Sequence, residues 1–173
     1  MTHSSCLLSR RTALTLGAGT PLVLAGLVGV VPSAISQEAP PPSAKAKQIV
    51  ALVDKAAALI DSKGKAAFAE FRNAGSEWNY GDTYLFVNDL NGKTLFHGSL
   101  PELEGTSVLG LKDSNGKFFI VEMVNVVKSK GSGWVEYMWP KPGYGQASEK
   151  WSYVKAVTID GTPALVGSGF YPQ

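Results

Sequence analysis

Residues 131–157 read GSGWVEYMWPKPGYGQASEKWSYVKAV and hold three of the four Trp and three of the six Tyr residues of the chain. The pattern predicts two antiparallel strands, Trp134 to Trp139 and Ser148 to Val157, joined by a Pro/Gly loop over Pro140 to Ala147. Setting Trp139 opposite Ser148 puts Tyr137 opposite Lys150 and Val135 opposite Ser152, and opposed residues of an antiparallel pair share a face. One face then carries a lysine between two small hydroxyl residues, Ser148 and Ser152, with Tyr137 and Trp139 beside it. An ammonium with aromatic walls and hydroxyl neighbours suits a small carboxylate or a similar polar metabolite, because it offers one charge, a few donors and an apolar body. The same residues also fit a solvated lysine on a half-exposed sheet, or a lysine held in a structural ion pair.

Ahead of this hairpin the chain begins with a targeting pattern. Arg10 and Arg11 precede an uncharged apolar stretch from Leu14 to Val31, and Ala34-Ile35-Ser36 supplies the small residues of a cleavage site. The expectation is a signal peptide over residues 1–36. The arginine pair points to twin-arginine export, while Ala13, where that pattern has a large apolar residue, leaves general secretion open. An uncharged stretch of this length could also span a membrane. Gly17, Gly19, Pro21, Gly26 and Gly29 weaken it as a helix and favour cleavage.

The full chain has 16 Lys+Arg against 14 Asp+Glu, and the only basic residues in the leader are Arg10 and Arg11, so the remainder is formally neutral. Nothing resembles the basic stripe of a nucleic-acid-binding protein. Cys6 leaves with the leader, so the exported chain uses no disulfide. One domain with one core is expected, periplasmic or secreted.

Residues 37–43 form a Pro-rich spacer, and Ser43 is placed to cap a helix. From Ala44 to Ser62, apolar residues at Ile49, Leu52, Val53, Ala56, Leu59 and Ile60 recur with helical spacing, and Gly64 ends the run. A second, shorter helix is expected over Lys65 to Asn73. The period then changes to that of strands: Thr83 to Asn88, a turn at Asp89-Leu90-Asn91-Gly92, and Lys93 to His97. Gly98 to Ser107 reads as a loop. Asn115 to Ser129 fits either a helical face or a valine-rich strand, and its length and the glycine at 131 decide for helix. A turn at Asp160-Gly161-Thr162 leads into a last strand, Pro163 to Tyr171, in which Gly167-Ser168-Gly169 signals close backbone approach or a bulge. One long helix followed by antiparallel strands is an α+β order.

Catalytic chemistry has little support. His97 is the only histidine after the leader and no thiol remains, so a metal centre lacks ligands. No local motif orders a nucleophile and its base, and the carboxylates form no acid-base pair. No cofactor is expected, and the chain reads as a binding protein rather than an enzyme.

Four segments, in this order, resemble the single-Cache (Cache type 2) extracytoplasmic sensor family: Tyr84-Leu85-Phe86-Val87-Asn88-Asp89-Leu90-Asn91-Gly92 with His97; Leu111-Lys112-Asp113-Ser114-Asn115-Gly116-Lys117-Phe118; Gly133-Trp134-Val135-Glu136-Tyr137-Met138-Trp139-Pro140; and Lys150-Trp151-Ser152-Tyr153-Val154 leading to Gly167-Ser168-Gly169-Phe170-Tyr171. The resemblance covers residues 44–173. It implies a PAS-like antiparallel sheet behind a long N-terminal helix, and a pocket for a small organic acid lined by the sheet positions of Tyr137 and Lys150. On that reading Lys150 pairs with the anion, Tyr137 donates its hydroxyl, Trp139, Tyr84 and Phe86 wall the site, and His97 and Asp113 are further candidates. Family receptors continue into a membrane helix and a signalling module, whereas this chain stops at Gln173. The expectation is therefore a stand-alone exported ligand-binding domain, with a separate membrane receptor as a candidate partner. An adaptor module with a vestigial pocket is the alternative.

Overall fold

The computed structural model describes residues 39–172, so the expected signal peptide with Arg10 and Arg11 lies outside the described residues. Helix α1 (Ala44–Lys63) starts where Ser43 accepts the backbone N–H of Ala46 at 3.0 Å. It buries Ile49, Val53, Ala56, Ala57 and Ile60 along one face. A single 3₁₀ turn (Gly64–Ala66) and a one-turn helix α2 (Ala67–Phe71) follow, shorter than the helix expected over residues 65–73. No helix among the described residues is long and apolar enough to cross a membrane.

Six antiparallel strands build the sheet: β1 (Asn79–Tyr80), β2 (Thr83–Asp89), β3 (Thr94–His97), β4 (Ser132–Pro140), β5 (Ala147–Ile159) and β6 (Thr162–Phe170). Their order is β1-β2-β6-β5-β4, with β3 also on β2. The two-residue β1 carries too little pattern to be legible in sequence. The β4–β5 register sets Trp139 against Ser148, Tyr137 against Lys150 and Val135 against Ser152, as the hairpin pattern predicts. Asp160 (φ 49°) and Gly161 (φ 82°) make the tight turn between β5 and β6, a conformation that needs positive φ at both positions.

Strand alternation splits the core into two layers. Leu85, Val87, Trp151, Val157, Ile159, Ala164 and Val166 face α1. Tyr84, Phe86, Val135, Tyr137, Val154 and Leu165 face the other way, against helix α3 (Phe119–Lys130). The ambiguous valine-rich segment is thus a helix, starting four residues later than Asn115. A helix at Gly131 (φ 77°) turns directly into β4, so α3 lies across the face its own following strand helps to form. The fold is α+β, a PAS-like antiparallel sheet behind a long N-terminal helix.

Candidate ligand-binding site

All but one of the side chains singled out in the sequence meet on the α3 face of the sheet. Lys150 is 1% exposed. That excludes the solvated lysine, and among the described residues it forms no ion pair. Its Nζ donates to the Tyr84 hydroxyl at 2.7 Å and lies 4.0 Å from the centre of that ring, with Tyr171, Phe86 and Tyr137 at 5.4, 5.9 and 5.9 Å. A buried ammonium held by π faces and one hydroxyl is desolvated with no carboxylate in direct contact among the described residues. Burial accordingly pushes the Lys150 pKa down, against the opposing pull of Tyr84 and then of the Asp82 charge. Burial raises the Tyr84 phenol, but the Lys150 charge and the hydrogen bond from Lys150 lead the causes that outweigh it, and its pKa falls.

Two glycines of β6 make room for this arrangement. A Cβ at Gly169 would overlap Ser152 Oγ and the Trp151 carbonyl and stand 2.9 Å from Lys150 Cε; one at Gly167 would meet the Phe86 ring. The Gly-Ser-Gly pattern therefore marks close approach, with Ser168 between them donating to the Tyr84 carbonyl at 2.8 Å.

Tyr137, opposite Lys150, shares a 3.0 Å hydrogen bond with Ser152 Oγ and stacks on Phe119 with ring centres 4.4 Å apart and planes 2° from parallel. Burial raises its pKa well above the usual phenol value, so it stays a neutral donor. Trp139 packs against Phe119 and His97. His97, opposite Phe86 in the β2–β3 register, accepts the Leu100 N–H on Nδ1 at 3.0 Å, which places the ring proton on Nε2. Burial, and then the Lys150 charge, push its pKa down to about 3, so the ring is neutral at physiological pH.

A cavity of about 20 Å³ lies against these residues, lined by Phe86, His97, Tyr137 and Trp139 from the sheet and by Phe119, Ile120 and Met123 from α3. It has room for about one water. Lys150 does not line it; its Nζ lies 5.9 Å from the centres of the Phe86 and Tyr137 rings, which do. Leu103, Val108 and Leu111 from the loop between β3 and α3 close the far side. Two carboxylates help to fasten that loop. Glu104 receives Arg72 through both oxygens (2.8 and 3.0 Å) and the His97 N–H (3.0 Å). Asp113 stands apart from the aromatic cluster: its carboxylate accepts the N–H groups of Asn115 (2.9 Å), Lys117 (2.8 Å) and, on β4, Met138 (2.9 Å). Desolvation raises that carboxyl, but the three N–H groups together, and then the Lys117 charge, outweigh it and hold its pKa low. Sequence reasoning did not single out Tyr171 or Phe119 as wall residues, nor the Asn88 and Thr94 pair that lines the same cavity; only their apolar or strand context is visible locally.

Among the described residues no three His, Cys, Asp or Glu side chains gather as a metal site. The cavity as it stands has room for about one water, and its polar lining is neutral: the Tyr137 hydroxyl, the His97 ring, the Asn88 amide and the Thr94 hydroxyl.

The Cache domain family model matches residues 53–172. The chain belongs to the Cache family. The Cache domain is 33% identical over 90 residues, 52% of the chain, to the methyl-accepting chemotaxis protein McpP of Pseudomonas putida, but spans only 16% of that protein's length. Among solved structures, a periplasmic sensor domain of a chemotaxis protein superposes with a TM-score of 0.64 at 33% identity, covering 75% of this chain and 95% of the other. A Cache chemosensory domain that recognises carboxylic acid gives 0.62 at 31%, with the same coverage. The fold and the single Cache domain expected from the four motifs are thereby established.

Proposed function

We propose that this Cache domain binds a short carboxylate outside the cytoplasmic membrane, without turnover and without a cofactor, and passes its occupancy to a membrane receptor or kinase. The observation that carries the reading is Lys150, an ammonium caged by Tyr84, Phe86, Tyr137 and Tyr171 and in no ion pair among the described residues. A ligand carboxylate would supply the missing anion, with Tyr137 and the His97 Nε2–H as neutral donors and Phe86 and Trp139 as walls. Asp113 enters by pinning the loop that carries Leu111. The similar chemosensory domain that recognises carboxylic acid supports this ligand class.

Thermal-shift measurements against acids of two to five carbons test it. A ligand at 100 times its Kd adds about 2.7 kcal/mol of stability. A flat response to every acid retires the reading.

The narrowness of the cavity favours one other reading, an adaptor whose pocket is vestigial. Binding in the first reading needs the α3 and loop wall to open, whereas an adaptor would keep it shut and emerge from periplasmic extract with a partner attached. Export by the twin-arginine route is part of the proposal. Replacing Arg10 and Arg11 by Lys should abolish export by that route while preserving general secretion.

A further inference from the structure

The rings around Lys150 border two different hollows. Phe86 and Tyr137 line the narrow cavity under α3. Tyr171 instead lines an open cleft of about 500 Å³, shared with Pro41, Lys45, Asp82, Phe170 and Pro172, and of the residues lining that cleft it alone belongs to the Lys150 cage. Its ring centre stands 5.4 Å from the buried Lys150 ammonium and 5.3 Å from the ammonium of Lys141, in the loop after β4. A cleft of that volume is of the size that holds small ligands, whereas the cavity under α3 holds about one water and even the smallest carboxylate has several non-hydrogen atoms. Movement of the α3 wall makes room for a ligand beside Tyr137, but the way in from solvent is a separate matter.

The two sides of the cage are held differently. Phe86 sits in mid-strand, paired with His97 of β3 and Gly167 of β6, while Tyr137 is stacked on Phe119 and bonded to Ser152. Neither ring can swing out without parting α3 or a strand from the sheet. Tyr171 lies one residue beyond the end of β6, past the last pair of Trp151 with Phe170. Its ring is held by the two cations and by its hydroxyl, which donates to the Pro140 carbonyl at 2.7 Å. Turning it out breaks a neutral hydrogen bond and leaves two ammonium groups beside the vacated space, where an anion interacts with both more strongly than a ring does. Lys45 and Asp82, 4.0 Å apart in the cleft, offset each other's charge, so Lys141 and Lys150 set the sign of the opening.

We propose that Tyr171 is the gate between solvent and Lys150, so that an anionic ligand reaches the ammonium from the cleft, past this ring, rather than through the α3 wall. The ligand class rests on the reading of Lys150 as a carboxylate's partner; the gate itself is tested with no ligand present. Reductive methylation of the full-length protein with formaldehyde and a borane, read at Lys150 by peptide mass spectrometry, measures how often that amine meets solvent. Tyr171→Phe removes the bond to Pro140 and keeps the ring, and should speed Lys150 labelling roughly twofold to tenfold, the value of one neutral hydrogen bond. Tyr171→Ala removes the gate and should speed it further; the Phe variant carries the test if the Ala variant disturbs the fold. Leu111→Ala, at a half-exposed residue lining the cavity under α3, loosens the other wall and should leave the rate unchanged. The gate is overturned if Lys150 labels no faster in the Tyr171 variants, or if Leu111→Ala speeds labelling as much as Tyr171→Phe. Propanoate separates this failure from that of the carboxylate reading. Faster labelling in the variants together with shielding of Lys150 by propanoate supports both. Faster labelling with no shielding by propanoate, or by any acid of two to five carbons, leaves the gate and retires the carboxylate, while shielding with wild-type labelling rates in the variants does the reverse.

Discussion

Lys150 of β5 reaches over Gly169 of β6 to donate to the hydroxyl of Tyr84 on β2, spanning an intervening strand to make a 2.7 Å bond. The bond ties together strands that do not pair with each other. Among the described residues it engages only one of the three ammonium protons.

Lys150→Met keeps most of the aliphatic stem and removes the charge. Because the ammonium is buried without an ion pair, the stability of the empty protein should stay level or rise by about 1 kcal/mol. Carboxylate affinity should fall by roughly tenfold to a hundredfold, the value of a charge-assisted contact. Denaturant melts and calorimetry on the same variant check both. A destabilised, still-binding variant would make Lys150 a structural residue.

Gly169→Ala probes the space under that lysine. The new methyl would meet the Trp151 carbonyl and Ser152 Oγ, and backbone cannot step aside as a ring can. The expected cost is about 1 to 3 kcal/mol in urea unfolding, with loss of carboxylate binding because Lys150 Cε is displaced. Gly167→Ala presses on the Phe86 ring and the Val154 side chain and should cost less. Equal costs would mean that the Gly169 contact relaxes freely.

The hairpin register, and with it the Tyr137 and Lys150 pair, was legible because strand period and a Pro/Gly loop fix opposition between neighbouring strands. Ser43, Gly64 and Gly131 marked helix ends for similar local reasons. Lys150 meeting Tyr84 was not legible from spacing, since it depends on β6 inserting between β5 and β2. The bulge that sets Thr94 against Asn88 was equally hidden, because a skipped residue leaves no mark in a four-residue strand. Asp113 reads locally as a loop carboxylate, and only the tertiary approach of Met138 shows what its second oxygen does.

Asp113→Ala removes three acceptor contacts that fasten the loop ahead of α3 to β4. Hydrogen exchange should quicken at the Asn115, Lys117 and Met138 amides, while α1 and the centre of the sheet keep their protection. Unchanged exchange at Met138 would show that the loop is held by other contacts, such as Lys117 Nζ donating to the Glu136 carbonyl at 2.6 Å.

His97 should make the protein acid-sensitive in a defined window. Its pKa is near 6.5 in the unfolded chain and about 3 in the fold, so between those values the unfolded state binds a proton that the folded state refuses. Stability is then unaffected by His97 above about pH 6.5 and declines as pH falls towards 3, where the folded ring also protonates and the loss stops. Between pH 7 and pH 5 this group alone should cost about 2 kcal/mol. His97→Asn retains an acceptor near the Nδ1 position for the Leu100 N–H and cannot titrate. The measurement is the difference in unfolding free energy between wild type and variant at pH 7 and at pH 5, a range above most carboxylate titrations. A gap that widens in the variant's favour by about 2 kcal/mol on acidification fits a neutral, buried His97 facing the Lys150 charge. A gap that does not move with pH would mean that His97 takes up its proton in the folded state as readily as in water, and that the ring is open to solvent rather than part of a closed wall.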